Sequence, residues 1–171
     1  MNVPFLSFKD SYSELASDID QAIKSVLVSG SYILGNKVEE FEEAWANYCT
    51  AEYAVGVSNG LDALTLALKA VGIEPGDEVI VPSHTYIATW LAISHCGAIP
   101  VPVEPQKTNG NINASLIAEK ISEKTKAIIP VHLYGCPVDL DPILNIARDH
   151  KLAVIEDAAQ CHGASYKYKK I

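Results

Sequence analysis

From Tyr53 onward, short apolar runs alternate with segments of helical period, and this alternation restricts the fold more than any other feature of the chain. The pairs are 53–58 then 61–71, 78–81 then 85–96, 99–103 then 113–121, 127–131 then 142–150, and finally 152–155. Within them Val79–Val81 and Ile128–Val131 are continuously apolar, which suits strands covered on both faces. Strands that alternate with helices need crossover connections, and these put helices on both sides of a mostly parallel sheet. The expected fold class is therefore α/β: a mostly parallel (mixed) sheet flanked by helices in three α/β/α layers. Gly76-Asp77 and Gly97 punctuate the pattern as turn residues do.

The start of the chain has a different rhythm. Leu15, Ile19, Ile23, Val26 and Leu27 recur at helical spacing, with Gly30 as the stop. Asn36 followed by Glu39 resembles a capping box that opens a second helix, with Val38, Phe41, Trp45 and Tyr48 as its expected buried stripe. The expected organisation is an N-terminal helical segment, 1–50, and an α/β domain, 51–171.

Charge narrows the partners. With 13 Lys and Arg against 21 Asp and Glu, the net charge is −8. That argues against nucleic acid, whose phosphates are held mainly by Lys and Arg. The cluster Lys167, Lys169, Lys170 reads as a solvated loop. No run approaches the ~20 apolar residues that span a bilayer, and Met1–Asp10 lacks the layout of a signal peptide. Cys49, Cys96, Cys136 and Cys161 are scattered without a Cys-x-x-Cys pair, so neither a metal site nor a disulfide framework is expected. A cytoplasmic, reduced, soluble protein follows, without membrane or nucleic-acid partner.

In open parallel sheets, ligands sit at the carboxyl ends of the strands, so the residues that follow the apolar runs matter most. After the first run comes Ser58-Asn59-Gly60-Leu61-Asp62. Gly60 permits a sharp turn into a helix whose free N–H groups form an anion site, or the turn is an ordinary one capped by Ser58 or Asn59. In the anion reading Asp62 has to point away from the ligand, supporting the helix dipole from the outer face. The same stretch, Gly56-Val57-Ser58-Asn59-Gly60, matches a nucleophile elbow, with Asp157 and His162 following in hydrolase order. Asp157 and His162 lie too close together in sequence for an easy triad with Ser58.

After the second run, Tyr86 opens a helix and is placed to stack on a flat heterocycle, whereas Trp90 reads as packing. His84 reads as a loop histidine. The last run ends Glu156-Asp157-Ala158-Ala159-Gln160. A carboxylate at a buried strand end needs a partner. A protonated pyridine nitrogen would be one, because an Asp that keeps pyridoxal's ring protonated makes it a better electron sink. Ala158 and Ala159 leave room for such a ring, and Gln160 can bond its hydroxyl. The alternative is a capping or solvent-facing Asp.

Read together, Gly30–Gly35 (GSYILG), Ser58–Leu64 (SNGLDAL), Gly76–Ser83 (GDEVIVPS), Thr85–Trp90 (TYIATW), Pro130–Gly135 (PVHLYG) and Glu156–Gly163 (EDAAQCHG) resemble the DegT/StrS-type sugar-nucleotide aminotransferases. These are pyridoxal-phosphate-dependent members of the aspartate-aminotransferase fold. The resemblance implies that the amides of Gly60 and Leu61 hold the phosphate of pyridoxal 5'-phosphate. It implies that Tyr86 stacks on the ring, that Asp157 pairs with its nitrogen, and that Gln160 bonds its phenolic oxygen. Many relatives carry Thr where this chain has Leu61, which removes a hydroxyl contact and leaves the amide.

The activity implied is transfer of an amino group, usually from glutamate, to a keto group of a nucleotide-linked deoxyhexose. The wording of the motifs is most similar to the branch acting at C3 of dTDP-linked 3-keto-6-deoxyhexoses. A homodimer in which the partner subunit completes each site is also implied. The family's Schiff-base lysine is expected beyond Ile171, since Lys167, Lys169 and Lys170 do not match its place. On that expectation the sheet is incomplete at the C-terminus and the chain alone is inactive. The alternatives are a sugar dehydratase of the same family with histidine in place of the lysine, a non-catalytic module, and, more remotely, a serine hydrolase built on Ser58.

Overall fold

The computed structural model describes residues 3–171. The chain divides into two compact units, Met1–Gly56 and Val57–Ile171; the sequence pattern had placed the division between Thr50 and Ala51.

The first unit holds α1 (Lys9–Ser29) and α2 (Asn36–Cys49). Both helices stand where the periodicity predicts. The capping box does not form: Gly35 is the N-cap in extended backbone, Asn36 is already helical, and no side chain caps the helix. A Cβ on Gly35 would lie 2.9 Å from both the carbonyl and hydroxyl oxygens of Ser31, so the preceding turn fixes glycine there and shifts the helix start. The expected buried stripe of α2 is not buried either. Phe41 and Tyr48 are exposed and only Ala46 is buried on this helix, while Phe41, Trp45 and Tyr48 stack successively at 5.9 and 5.5 Å. The segment 53–58, expected as a strand, does not form one. Among the described residues no strand lies alongside it to complete a ladder, and its Gly56 amide donates instead to Glu42 Oε1 at 2.6 Å.

The second unit has the predicted α/β alternation. Its order is α3 (Gly60–Ala70), β1 (Glu78–Pro82), α4 (Ile87–His95), β2 (Ile99–Val103), β3 (Thr125–Ile128), α5 (Leu140–His150), β4 (Ala153–Val154) and a two-stranded hairpin, β5 (Ser165–Tyr166) with β6 (Lys169–Lys170). Strands β2-β1-β3-β4 form one sheet in that order, and every neighbouring pair is parallel. Pro100 and Pro102 fall on β2, an edge strand, where an N–H pointing away from the sheet has no ladder to join. Segment 113–121 forms two successive 3₁₀ turns, Ala114–Leu116 and Ala118–Lys120, instead of the expected helix. The Asn113 side chain takes the Ser115 amide, and the following amides bond three residues back.

Alternate strand residues enter opposite core layers, as the twofold period of a strand requires. Val79, Val81, Ala127 and Ile129 pack with Leu64 and Leu68 of α3 and Ala92 and Ile93 of α4. Ile80, Val103 and Ile128 pack with Ile112, Ile117 and the α5 residues Leu140, Ile143 and Ala147. The sheet is thus covered on both faces, the three-layer arrangement expected. At its amino edge the Gly76 amide donates to the Gly97 carbonyl at 3.0 Å. A Cβ on Gly97, which has φ +72°, would meet Pro75 at 3.0 Å, so this tight turn is glycine's by both conformation and space.

Candidate active site

The strand order reverses between β1 and β3: the chain moves outward from β1 to β2, then returns to lay β3 on β1's other side. At such a switch the loops leaving neighbouring strands part and open a crevice at their carboxyl ends. Segments 83–86, 129–136 and 155–160 leave the sheet there.

Asp157 is the most constrained residue among them. Its backbone extends the β3–β4 ladder, with its amide donating to the Pro130 carbonyl at 2.9 Å and its carbonyl accepting the His132 amide at 3.0 Å. Its side chain is buried and satisfied from two directions. Thr89 Oγ1 donates to Oδ2 at 2.8 Å, and the Ala159 amide donates to Oδ1 at 3.2 Å. Thr89 is itself fully buried and lies 3.0 Å from the Thr85 hydroxyl. A buried carboxylate needs such donors. Even so, nothing in the sequence singled out Thr89; its only signal was i,i+4 spacing from Thr85 on the helix that carries Tyr86.

His132 and Glu156 also went unassigned by sequence. The His132 ring is fully buried, accepts the Val138 amide at Nδ1 (3.0 Å), and meets Glu156 Oε2 through Nε2 at 2.9 Å. Because Nδ1 accepts, the ring proton sits on Nε2 and is donated to Glu156. The pair ties the end of β3 to the end of β4, directly beside Asp157.

Gln160 is held by its carbonyl end. Oε1 accepts the Tyr134 amide at 2.8 Å, so its NH2 faces outward as a donor. Tyr134 is in left-handed backbone (φ +55°) and exposed. Buried Asn111 holds the same turn by accepting the Leu133 amide (3.2 Å) and donating to the Cys136 carbonyl (3.0 Å). Cys161, next to Gln160, is buried, and burial pushes its thiol upward, as does the nearby Cys136 thiol. It is a packing group rather than a nucleophile.

At α3 the Asn59 side chain accepts the Asp62 amide at 2.9 Å, a standard N-cap. The amides of Gly60 and Leu61, one and two residues into the helix, find no acceptor among the described residues. The Asp62 carboxylate does not point to the outer face as expected. It folds back on the cap, accepting Ser58 Oγ and, at 3.0 Å, Asn59 Nδ2. The Ser58 hydroxyl thus donates to Asp62, and Asp157 is held by Thr89 and Ala159, where a hydrolase would have its serine donate to an imidazole.

Tyr86 is the N-cap of α4, its ring exposed and its carbonyl accepting the Thr89 amide at 3.2 Å. Trp90 packs as expected, its Nε1 donating to the Pro82 carbonyl at 3.1 Å. The structure therefore joins the start of α4 directly to Asp157, and Gln160 to the turn after β3. Gly60 and Leu61 sit on α3, which packs along α4; the hydrogen bonds of Asp157 run to Pro130, His132, Thr89 and Ala159 instead. Lys167 is engaged elsewhere, paired with Asp141, and Lys170 Nζ donates to the Gly163 carbonyl at 3.2 Å.

Comparison with known proteins gives a consistent pattern. Residues 13–171 match the model of the DegT/DnrJ/EryC1/StrS aminotransferase family. The dTDP-3-amino-3,4,6-trideoxy-alpha-D-glucose transaminase of Streptomyces venezuelae is 53% identical over 99% of this chain, which covers 45% of that protein. A crystal structure of S. venezuelae DesV in complex with a ketimine intermediate superposes with a TM-score of 0.97 at 53% identity, over 99% of this chain and 46% of the other. NtdA from Bacillus subtilis with bound cofactor PMP gives 0.93 at 37% identity, over 96% and 38%. The chain thus spans somewhat less than half the length of the proteins it matches.

Proposed function

The chain belongs to the DegT/DnrJ/EryC1/StrS aminotransferase family, and from that premise we propose that the protein uses pyridoxal 5'-phosphate to move an amino group from an amino-acid donor, glutamate, to a nucleotide-linked keto-deoxyhexose. We place the acceptor carbon at C3 of a dTDP-linked 3-keto-6-deoxyhexose, in line with the dTDP-3-amino sugar named for the S. venezuelae relative. A cytoplasmic homodimer belongs to the same reading.

The donor set fits the cofactor. Pyridoxal 5'-phosphate brings an anion, a ring nitrogen that takes a proton, and a ring oxygen that accepts. The chain offers two unengaged amides at a helix N-terminus, a buried acceptor-only carboxylate, and an outward NH2 on Gln160. When bound, the cofactor supplies an electron-withdrawing ring for the carbon that changes its proton.

The chain's own residues then have distinct tasks. The amides of Gly60 and Leu61 would bind the phosphate with the favourable end of the α3 dipole, which requires the Asp62 carboxylate, folded onto the cap in the free chain, to turn away. Asp157 would hold the proton at the pyridine nitrogen, and its burial would leave that charge little screened. Gln160 Nε2 would donate to the ring oxygen. Tyr86 would lie against the ring and shield it from water. The base that moves the substrate's proton is assigned to none of Lys167, Lys169 and Lys170.

The observation that carries this reading is Asp157, a buried carboxylate braced from both sides at a strand end. Asp157→Ala is expected to weaken pyridoxal 5'-phosphate binding by roughly 10- to 150-fold, the equivalent of a charge-assisted hydrogen bond of about 1.5–3 kcal/mol. Fluorescence titration measures it. Unchanged affinity in that variant, or no binding of pyridoxal 5'-phosphate by the unsubstituted protein, would overturn the proposal.

A further inference from the structure

A carboxylate that pairs with a ring nitrogen has to be presented in one plane, and the structure shows what sets that plane. Asp157 Oδ1 is bonded by the Ala159 amide, two residues on, a local contact that travels with the loop wherever it goes. Oδ2 is bonded by Thr89, 68 residues earlier in the chain and on a different crossover helix. Only the second bond references the carboxylate to the rest of the crevice.

The direction of the hydroxyl protons follows from counting them. Thr89 has one, and a carboxylate can only accept, so that proton goes to Asp157. The 3.0 Å contact between Thr85 and Thr89 therefore has Thr85 as donor. The chain of donation runs Thr85 to Thr89 to Asp157, and each bond in such a series polarises the next. Thr89 is fully buried, which denies it water as a substitute partner. Its branched Cβ limits χ1 on a helix, so the hydroxyl has few other directions to take. Thr85 directly precedes Tyr86, so the same pair of bonds also ties the residue beside the carboxylate to the turn that carries the aromatic ring.

We propose that Thr89, backed by Thr85, is the positioning residue of the site: its hydroxyl sets the plane of the Asp157 carboxylate and links it to the Tyr86 turn, so that both meet the same ring. The inference rests on the pyridoxal reading above and deepens it. Thr89 touches no reacting atom.

The test uses the protein with pyridoxal 5'-phosphate labelled with ¹⁵N in the ring. Two quantities are read: the dissociation constant, and the ¹⁵N shift that reports protonation of the pyridine nitrogen. Thr89→Val keeps the shape and removes the hydroxyl. It is expected to raise the dissociation constant by roughly 5- to 30-fold, a part of the loss expected for Asp157→Ala because the hydroxyl acts on the ring only through the carboxylate, and to move the ¹⁵N signal toward the unprotonated value. Thr89→Ser restores the hydroxyl and is expected to return both quantities to within about threefold of wild type. Thr85→Val is expected to have a smaller effect of the same sign. Circular dichroism of the cofactor-free proteins checks that Thr89→Val is folded; should it not be, Thr85→Val and Thr89→Ser decide the matter through the same two readouts. A Thr89→Val protein with wild-type affinity and an unmoved ¹⁵N signal overturns the inference while leaving the cofactor reading intact. So does a Thr89→Ser protein as impaired as Thr89→Val, because the methyl and not the hydroxyl would then be responsible. Wild-type protein whose binding does not depend on Asp157 overturns both.

Discussion

The side-chain carbonyl of Gln160 accepts the Tyr134 amide, which leaves only its NH2 for a ligand. A leucine at this position keeps much of the volume and removes both capacities. Gln160→Leu is expected to lower affinity for pyridoxal 5'-phosphate by roughly 2- to 12-fold, a neutral hydrogen bond of about 0.5–1.5 kcal/mol. It should also speed hydrogen exchange at the Tyr134 amide, and an unchanged exchange rate there would contradict the anchoring bond. At this scale the sequence was informative where chemistry is unusual. Asp157 stands out because a carboxylate at the end of an apolar run is costly, and Gln160 because an amide just past two alanines that leave room for a ring can bond the ring's hydroxyl. Thr89 does not, since the group that gives it meaning is distant in sequence and a threonine early in a helix is unremarkable. His132 and Glu156 are silent in sequence for the same reason: their bond joins two separate loops.

At the scale of elements, legibility followed how much of an element's stability is its own. β1 stands where its apolar run lies, because a strand covered on both faces requires such a run. The 53–58 segment has the composition of a strand, but a strand exists only with a neighbour to pair with. The start of α2 moved because a backbone contact at Gly35 outranked the side-chain signal of Asn36. Of the two caps the sequence allows for α3, Ser58 or Asn59, it is Asn59 that serves, and Asn59→Ala is expected to cost about 0.5–2 kcal/mol, readable as a lower urea midpoint. The β5–β6 hairpin is attached to the start of α5 by Tyr166, whose hydroxyl donates to Asp139 Oδ1 at 2.5 Å, and by the Lys167–Asp141 pair. The Lys167 hydrogen bond lowers the Asp141 carboxyl pKa, and the same bond raises that of the Lys167 ammonium. With Asp141 depressed, its contribution is present above the ordinary carboxylate value of about 3.9 and is lost as pH falls through the folded value; with Lys167 raised, its contribution is complete below about 10.4 and is lost as pH rises through the folded value. The hairpin should therefore stay attached across the neutral range and loosen at both extremes. NMR titration of Asp141 checks this: Lys167→Ala should return its midpoint toward the ordinary range, and no movement would show the pair to be inconsequential.

The second unit as a whole is one sheet between two core layers, and its energetics should inherit that division. Ile93 lies in the layer built by α3 and α4, and Ile143 in the layer built by α5 and the 3₁₀ turns. Both are fully buried, and the sheet separates them, so trimming one leaves the other's neighbours untouched. With a whole sheet between them the two sites lie beyond the ~7–10 Å within which mutational effects couple. Ile93→Val and Ile143→Val are each expected to cost about 0.5–1.5 kcal/mol, through one lost methylene and the small space it leaves. The double variant should lose their sum to within about 0.3–0.5 kcal/mol. Chemical denaturation of the four proteins in the cycle measures it. A coupling well above that range would mean that the sheet passes strain from one face to the other through β1 and β3, whose residues alternate between the two layers. In that case the strand ends that carry Asp157 would respond to changes in either layer, and cofactor affinity would fall in both single variants; with independent layers it holds in both.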